Sequence, residues 1–191
     1  MAHKTIQSWW QARDLPTIVS AYEQYQEQGT RQVISVDPLQ IVDVGGAGSN
    51  FWHLLSEFTS EDIVIVDPNG GGAGVAAPGQ FRVQAQTLQE YAGSATLGHT
   101  DILTCISVIE HIPDADLRAF FKAAHMLLRP GGLLFLTTDY WDSEGADTAH
   151  FHWMRTRIYN AESLRRLRNK LSEHGFKTFG QTDWTYQGPQ V

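Results

Sequence analysis

Apolar and polar positions along this chain alternate between helical and strand periods, and that alternation predicts its elements. Residues 5–29 are polar with scattered aromatics. After Pro16, apolar residues recur at helical spacing (Ile18 or Val19, Tyr22, Tyr25) up to Gly29, predicting one or two N-terminal helices. A strand is expected at 40–44. A helix follows at about 50–58, with Phe51, Leu54, Leu55 and Phe58 on one face. Residues 62–67 form a near-continuous apolar run, as in a parallel strand covered on both faces. Proline and glycines make 68–74 a loop. A short strand at 81–83, a short helix at 86–91 and a fourth strand at 101–107 come next. Pro113 and Asp114 suit a first helical turn, and Leu117, Phe120, Phe121, Ala124, Leu127 and Leu128 form its apolar stripe. Arg129-Pro130-Gly131-Gly132 should stop that helix before a fifth strand at 133–138. A polar and aromatic loop then runs from 139 to 159. Asn160 should cap a last helix reaching His174, with Gly175 ending it and a sixth strand beginning at 176–179.

Strands alternating with helices predict an α/β fold with a doubly wound, mostly parallel sheet. The 191 residues fit one domain, since domains commonly run about 100–200 residues. The expected division is an N-terminal helical extension (1–38), a core (39–180) and a substrate loop (139–159).

Composition narrows the setting. The chain is 42% hydrophobic and 18% charged, with 14 Lys+Arg against 21 Asp+Glu and a net charge of -7. No nucleic-acid partner is expected, because phosphate backbones are bound by clustered Lys and Arg. The one basic stretch, residues 165–170, reads as a solvated helix face. A single cysteine, Cys105, allows no disulfide within one chain and suits a reducing compartment. The N-terminal residues have no apolar core of a signal peptide. No apolar run approaches the roughly 18 residues of a membrane span. A cytoplasmic protein is the expectation.

In an open α/β sheet, ligands bind outside the carboxyl ends of the strands, at the switch point of strand order. The first strand ends in Asp43-Val44-Gly45-Gly46-Ala47-Gly48-Ser49, the second in Asp67, the fourth in Ser107-Val108-Ile109-Glu110-His111, the fifth in Thr138-Asp139-Tyr140. Glycines let a ligand approach the backbone. An acid 22 residues after Gly45, at Asp67, can accept hydrogen bonds from both ribose hydroxyls. Together they suggest an adenosine-type site. The dinucleotide fingerprint G-x-G-x-x-G fails here: counted from Gly46, the third glycine falls on Phe51; counted from Gly45, the second falls on Ala47. A dehydrogenase is therefore disfavoured.

The strand ends resemble those of class I S-adenosylmethionine-dependent methyltransferases, a Rossmann-like family. Its first motif, D-x-G-x-G-x-G, stands here as residues 43–49, with Ala47 and Ser49 replacing two glycines. DILTCISVIEHIPD (101–114) and LLRPGGLLFLTT (127–138) are similar to its later motifs. The resemblance covers about residues 39–180. It implies S-adenosyl-L-methionine as cofactor, touched by Asp43, Gly45, Gly46, Ala47, Asp67, Pro68, Gln84, Ala85, Ser107 and Val108. The adenine contact falls on Gln84 or Gln86. Two departures stand out: residues 68–80 are too short and glycine-rich for the usual crossover helix, and no seventh strand is evident. The uncovered sheet edge leaves a partner, including a second copy in a homo-oligomer, open.

Methyl transfer to oxygen gains from a general base. His111, just after the fourth strand, and Asp139, just after the fifth, are the catalytic candidates; His150 and His152 are further ones. His150-Phe151-His152 without a placed carboxylate makes a weak metal signal, so no metal is expected. Tyr140, Trp141, Phe151, Trp153 and Tyr159, with Asp139, Asp142, Asp147 and Arg157, suit a hydroxylated ring. The loop is similar to that of methyltransferases associated with polysaccharide and glycan synthesis, which implies a small hydroxylated or sugar-type acceptor. The alternative is a non-catalytic cofactor-binding or interaction domain derived from such an enzyme.

Overall fold

A computed structural model of the chain describes residues 39–47, 63–70, 81–140, 148–151 and 154–178. The expected helices at 5–29 and 50–58, most of the glycine loop, Gly48, Ser49 and residues 179–191 lie outside the described residues. So do Trp141, Asp142, Asp147, His152 and Trp153, and the side chains of 148–151, His150 and Phe151 among them.

Five parallel strands form one sheet: β1 Ile41–Val44, β2 Ile63–Val66, β3 Phe81–Gln84, β4 Thr100–Cys105 and β5 Leu128–Leu136, in the order β3-β2-β1-β4-β5. Three helices are described: α1 Leu88–Ala92, α2 Asp114–Leu127 and α3 Ala161–Glu173. The apolar runs of β1, β2 and β4 are buried on both faces, whereas β3, at the sheet edge, is only partly buried. Side chains alternate across the pleat, and the sheet sorts them into two layers. Val42, Val44, Val66, Leu103 and Cys105 pack with Leu88, Leu117, Phe120, Phe121, Ala124, Leu127 and Leu167 of the three helices. Ile41, Ile63, Ile65 and Ile102 form the opposite layer with Ala47. The Phe120 and Phe121 rings meet edge-on, their centroids 5.7 Å apart, a favoured aromatic geometry.

Caps fix the helix ends. At α1, Thr87 Oγ1 accepts the Glu90 N–H, while Glu90 Oε2 accepts the Thr87 N–H, a reciprocal capping box. At α3, Asn160 Oδ1 accepts the Ser163 N–H and Ser163 Oγ accepts the Asn160 N–H. Gly175, at φ +87°, turns the chain out of α3. The Gly175 and Phe176 N–H groups bond back to the Ser172 and Leu171 carbonyls, satisfying groups that a helix end leaves open.

The structure differs from expectation at three places. First, α2 ends at Leu127, and β5 already begins at Leu128, opposite Thr100; pairing then skips to Ile102 with Leu133. Arg129-Pro130-Gly131-Gly132 is thus a bulge within the strand, made possible by Gly131 at φ +80°. Arg129 is tied there by an ion pair to Asp101 at 2.6 Å. Second, the expected loop 139–159 contains an antiparallel ribbon, β6 Thr148–Phe151 and β7 Met154–Arg157. Third, residues 176–178 carry no strand.

Candidate functional site

The sheet order creates the site. From β1 the chain steps outward through β2 and β3, then returns to lay β4 on the other side of β1. The crevice at such a reversal, above the carboxyl ends of β1 and β4, is where open α/β sheets bind ligands.

Register places Asp43 of β1 directly beside Thr104 of β4. Thr104 Oγ1 donates to Asp43 Oδ1 at 2.6 Å. The other oxygen, Oδ2, is buried and has no hydrogen-bond partner among the described residues. Burial pushes the Asp43 carboxyl up to about 7; the Thr104 bond opposes this and the charge of Asp67 adds to it. A methyl group at Gly46 would lie 1.8 Å from Oδ2, and one at Gly45, which has φ +74°, would strike the Val108 side chain at 2.5 Å. The turn is bare because the carboxylate beneath it and the β4 loop beside it occupy the space that side chains would need.

Around this turn the other predicted residues assemble. The Gly45 N–H bonds the Val66 carbonyl, and the Asp67 N–H bonds the Gln84 carbonyl. The Asn69 N–H holds Asp67 Oδ1 at 2.9 Å. Pro68 lies in that turn, and Ala85 backs Gly70 across it. The Gln86 N–H turns back onto the Gln84 carbonyl, so both adenine candidates flank the same strand end. Ser107 adopts φ +51°, a rare conformation for a non-glycine residue, and its N–H bonds Thr137 Oγ1 at 3.0 Å.

The second half of the site follows β4 and β5. Residues Ile109–His111 make a single 3-10 turn. Glu110 is buried, and burial pushes its carboxyl up to about 8; backbone N–H groups oppose the shift and the charge of Asp139 adds to it. His111 lies at the surface with its pKa lowered by partial burial, against the charge of Asp139. Its Nδ1 is 3.3 Å from Thr156 Oγ1. Asp139 follows β5, and its carbonyl accepts the Tyr159 N–H. Arg157 pins the ribbon: it donates to Tyr159 Oη at 2.8 Å and to the Ile112 carbonyl at 3.3 Å, and pairs with Asp114 at 3.3 Å. Below this ribbon a cavity of about 700 Å³ runs from Glu110 and His111 to α3.

The structure therefore groups Asp43, Gly45, Gly46, Ala47, Asp67, Pro68, Gln84, Ala85, Ser107 and Val108 at neighbouring strand ends, with His111 and Asp139 beside them. Sequence reading missed Thr104, Thr137, Glu110 as a buried acid, and Thr156. Their signals are weak, since a hydroxyl at a strand end is common. Among the described residues no group of three or more His, Cys, Asp and Glu side chains could hold a metal ion. No helix among them is long and apolar enough to cross a membrane.

The parallel sheet and its strand order are those of a Rossmann-like domain of the kind methyltransferases share. A family model described as a methyltransferase domain matches residues 7–179, and the chain belongs to that family. It is 29% identical over 151 residues to a ubiquinone biosynthesis O-methyltransferase of Leptothrix cholodnii, covering 72% of this chain and 59% of that protein. It is 37% identical over 65 residues to the protein of that name in Xanthomonas oryzae pv. oryzae, covering 34% of this chain and 26% of that one. The chain thus spans less than two thirds of either relative. Among solved structures, an S-adenosylmethionine dependent methyltransferase from Mesorhizobium loti superposes with a TM-score of 0.56 at 14% identity, covering 80% of this chain and 81% of that one. Phosphoethanolamine N-methyltransferase 2 of Haemonchus contortus, in complex with S-adenosyl-L-methionine, also gives 0.56, at 15% identity, covering 81% of this chain and 37% of that one.

Proposed function

We propose that this chain is an S-adenosylmethionine-dependent methyltransferase acting on an oxygen of a small hydroxylated acceptor. The observation that carries the reading is the cradle at the switch point. The bare Gly45-Gly46 turn lies over the unsatisfied Asp43 carboxyl, with Asp67 fixed at the next strand end. These residues fit the cofactor. Asp67 would take the ribose hydroxyls, Gln84 or Gln86 the adenine edge, and Asp43, Gly45 and Ser107 the methionine part. The cofactor supplies a sulfonium methyl group already activated for in-line displacement. The chain's own contribution is placement, worth up to roughly 7–11 kcal/mol in such reactions, and a proton acceptor.

His111 fits that second task. With Nδ1–H given to Thr156 Oγ1, the Nε2 lone pair is left for an acceptor hydroxyl, and the lowered pKa keeps the ring neutral near pH 7. Asp139 stands beside it and would stabilise the charged ring. The O-methyltransferase relatives support oxygen as the methylated atom. A sugar hydroxyl remains one member of the acceptor class. The cytoplasm suits the single buried thiol. A non-catalytic domain is the poorer reading, because the cradle, Asp67 and the His111 turn are all retained.

The test is titration calorimetry of S-adenosylhomocysteine into the parent protein and the Asp67→Ala variant. Micromolar binding, about -8 kcal/mol at 1 μM, weakened at least tenfold in the variant, is the expected result. A folded parent that binds no S-adenosylhomocysteine would overturn the reading.

A further inference from the structure

The basic stretch 165–170 reads from sequence as a solvated face, and Arg166 and Lys170 are indeed exposed, but both also border a cavity. Ser163, Arg166, Leu167 and Lys170 share one helical face, and that face lines the cavity whose other end is Glu110 and His111. Arg157 enters from β7 across the cavity, its side chain only 20% exposed. In a chain of net charge -7, three cations from two elements thus meet in one pocket. Among the described residues their neutralisation is incomplete. Arg157 and Lys170 share a single exposed carboxylate, Asp114, at 3.3 and 3.6 Å. Among the described residues Arg166 pairs only along its own helix with Glu162, and both are exposed. Ion pairs of that kind contribute little and exchange readily. Glu110, the other acid in the lining, holds its proton near neutral pH and adds little negative charge.

We propose that this cavity is an oxyanion subsite: Arg157, Arg166 and Lys170 hold a carboxylate or phosphate group borne by the methyl acceptor. The inference rests on the methyltransferase reading for what the bound molecule is used for, but not for the binding itself. An anion there would draw Arg166 and Lys170 from their surface partners into charge-assisted hydrogen bonds, while Arg157, whose Nη groups hold Tyr159, Ile112 and Asp114, adds its fixed positive charge at that end. The far end of the same molecule would then reach His111. The acceptor is accordingly an acid with a hydroxyl at its other end.

The test uses phenyl phosphate, benzoate and neutral phenol as probes, titrated at low salt into the full chain and followed by NMR shifts. The parent should bind at least one of the two anions ten times or more tighter than phenol, and the preferred anion identifies the group. Arg166→Gln with Lys170→Gln should lose about tenfold or more of that affinity, whereas Arg166→Lys with Lys170→Arg should keep most of it. Both positions are substantially exposed, so the variants should fold, as a melting curve checks. Equal binding of phenol and the anions, or anion binding unchanged in the glutamine variant, would overturn the proposal. Anion binding by a parent that fails to bind S-adenosylhomocysteine would uphold the subsite and sink the methyltransferase reading alone.

Discussion

Asp43 is where fold and site compete. In the unfolded chain its carboxyl titrates near 4; in the fold burial holds it near 7. Between those values the native state carries the extra proton, so stability is fully present below about pH 4 and is lost as the pH rises through about 7. Glu110 adds the same sign of slope up to about 8. Asp43→Asn keeps an oxygen for the Thr104 hydroxyl and removes the charge. Urea unfolding should therefore show the variant gaining on the parent between pH 5 and pH 8, on the order of 2 kcal/mol, with a residual slope belonging to Glu110. An unchanged slope would mean that Asp43 is not the buried acid responsible. Asp43, Gly45 and Asp67 were legible in the sequence because each sits where an apolar run meets small or acidic residues. Thr104 was not, because it lies 61 positions from the carboxylate it serves and only strand register brings them together.

Among elements, α3 was the most legible. Asn160 and Gly175 mark its ends, and both do what their chemistry predicts. Asn160→Ala should cost about 1 kcal/mol by removing the cap, read as a drop of roughly 2–4 °C in the melting temperature of a chain this size. A melt identical to the parent would show that Ser163 and water replace the cap without loss. The α2–β5 junction was legible in content and misplaced in position. Arg129-Pro130-Gly131-Gly132 breaks the regular structure as expected, but Leu128 has already joined the sheet beside Thr100. The ribbon β6–β7 is hard to read from sequence because each strand is only four residues long, and MRTR of β7 has no alternation to distinguish it from a loop. What holds it down, the Arg157 contacts and the Thr156–His111 contact, is tertiary.

For the whole molecule, a parallel α/β sheet could be read from the order of elements, whereas the strand order could not. Parallel neighbours are joined by crossovers, so adjacency depends on which helix packs where. The same holds for the basic stretch: charge alone predicts a solvated face, which Arg166 and Lys170 keep, and only the fold shows that both also border a cavity. The methyltransferase resemblance rested on the one thing this topology preserves in sequence, namely that the residues ending each strand gather at one edge.

The buried thiol of Cys105 has a further use. It is fully buried in the last position of β4, paired in register with Val44 at the mouth of the site, and burial raises its pKa well above the usual value. Native protein should therefore react with an aromatic disulfide reagent only by way of transient opening of the central strands. The labelling rate becomes a built-in clock for that opening, with no introduced probe. A ligand bound in the crevice should slow the clock, tenfold for each 1.4 kcal/mol by which it stabilises the closed state. Rapid labelling of the folded chain would instead show that this edge of the site opens locally, without the rest of the sheet.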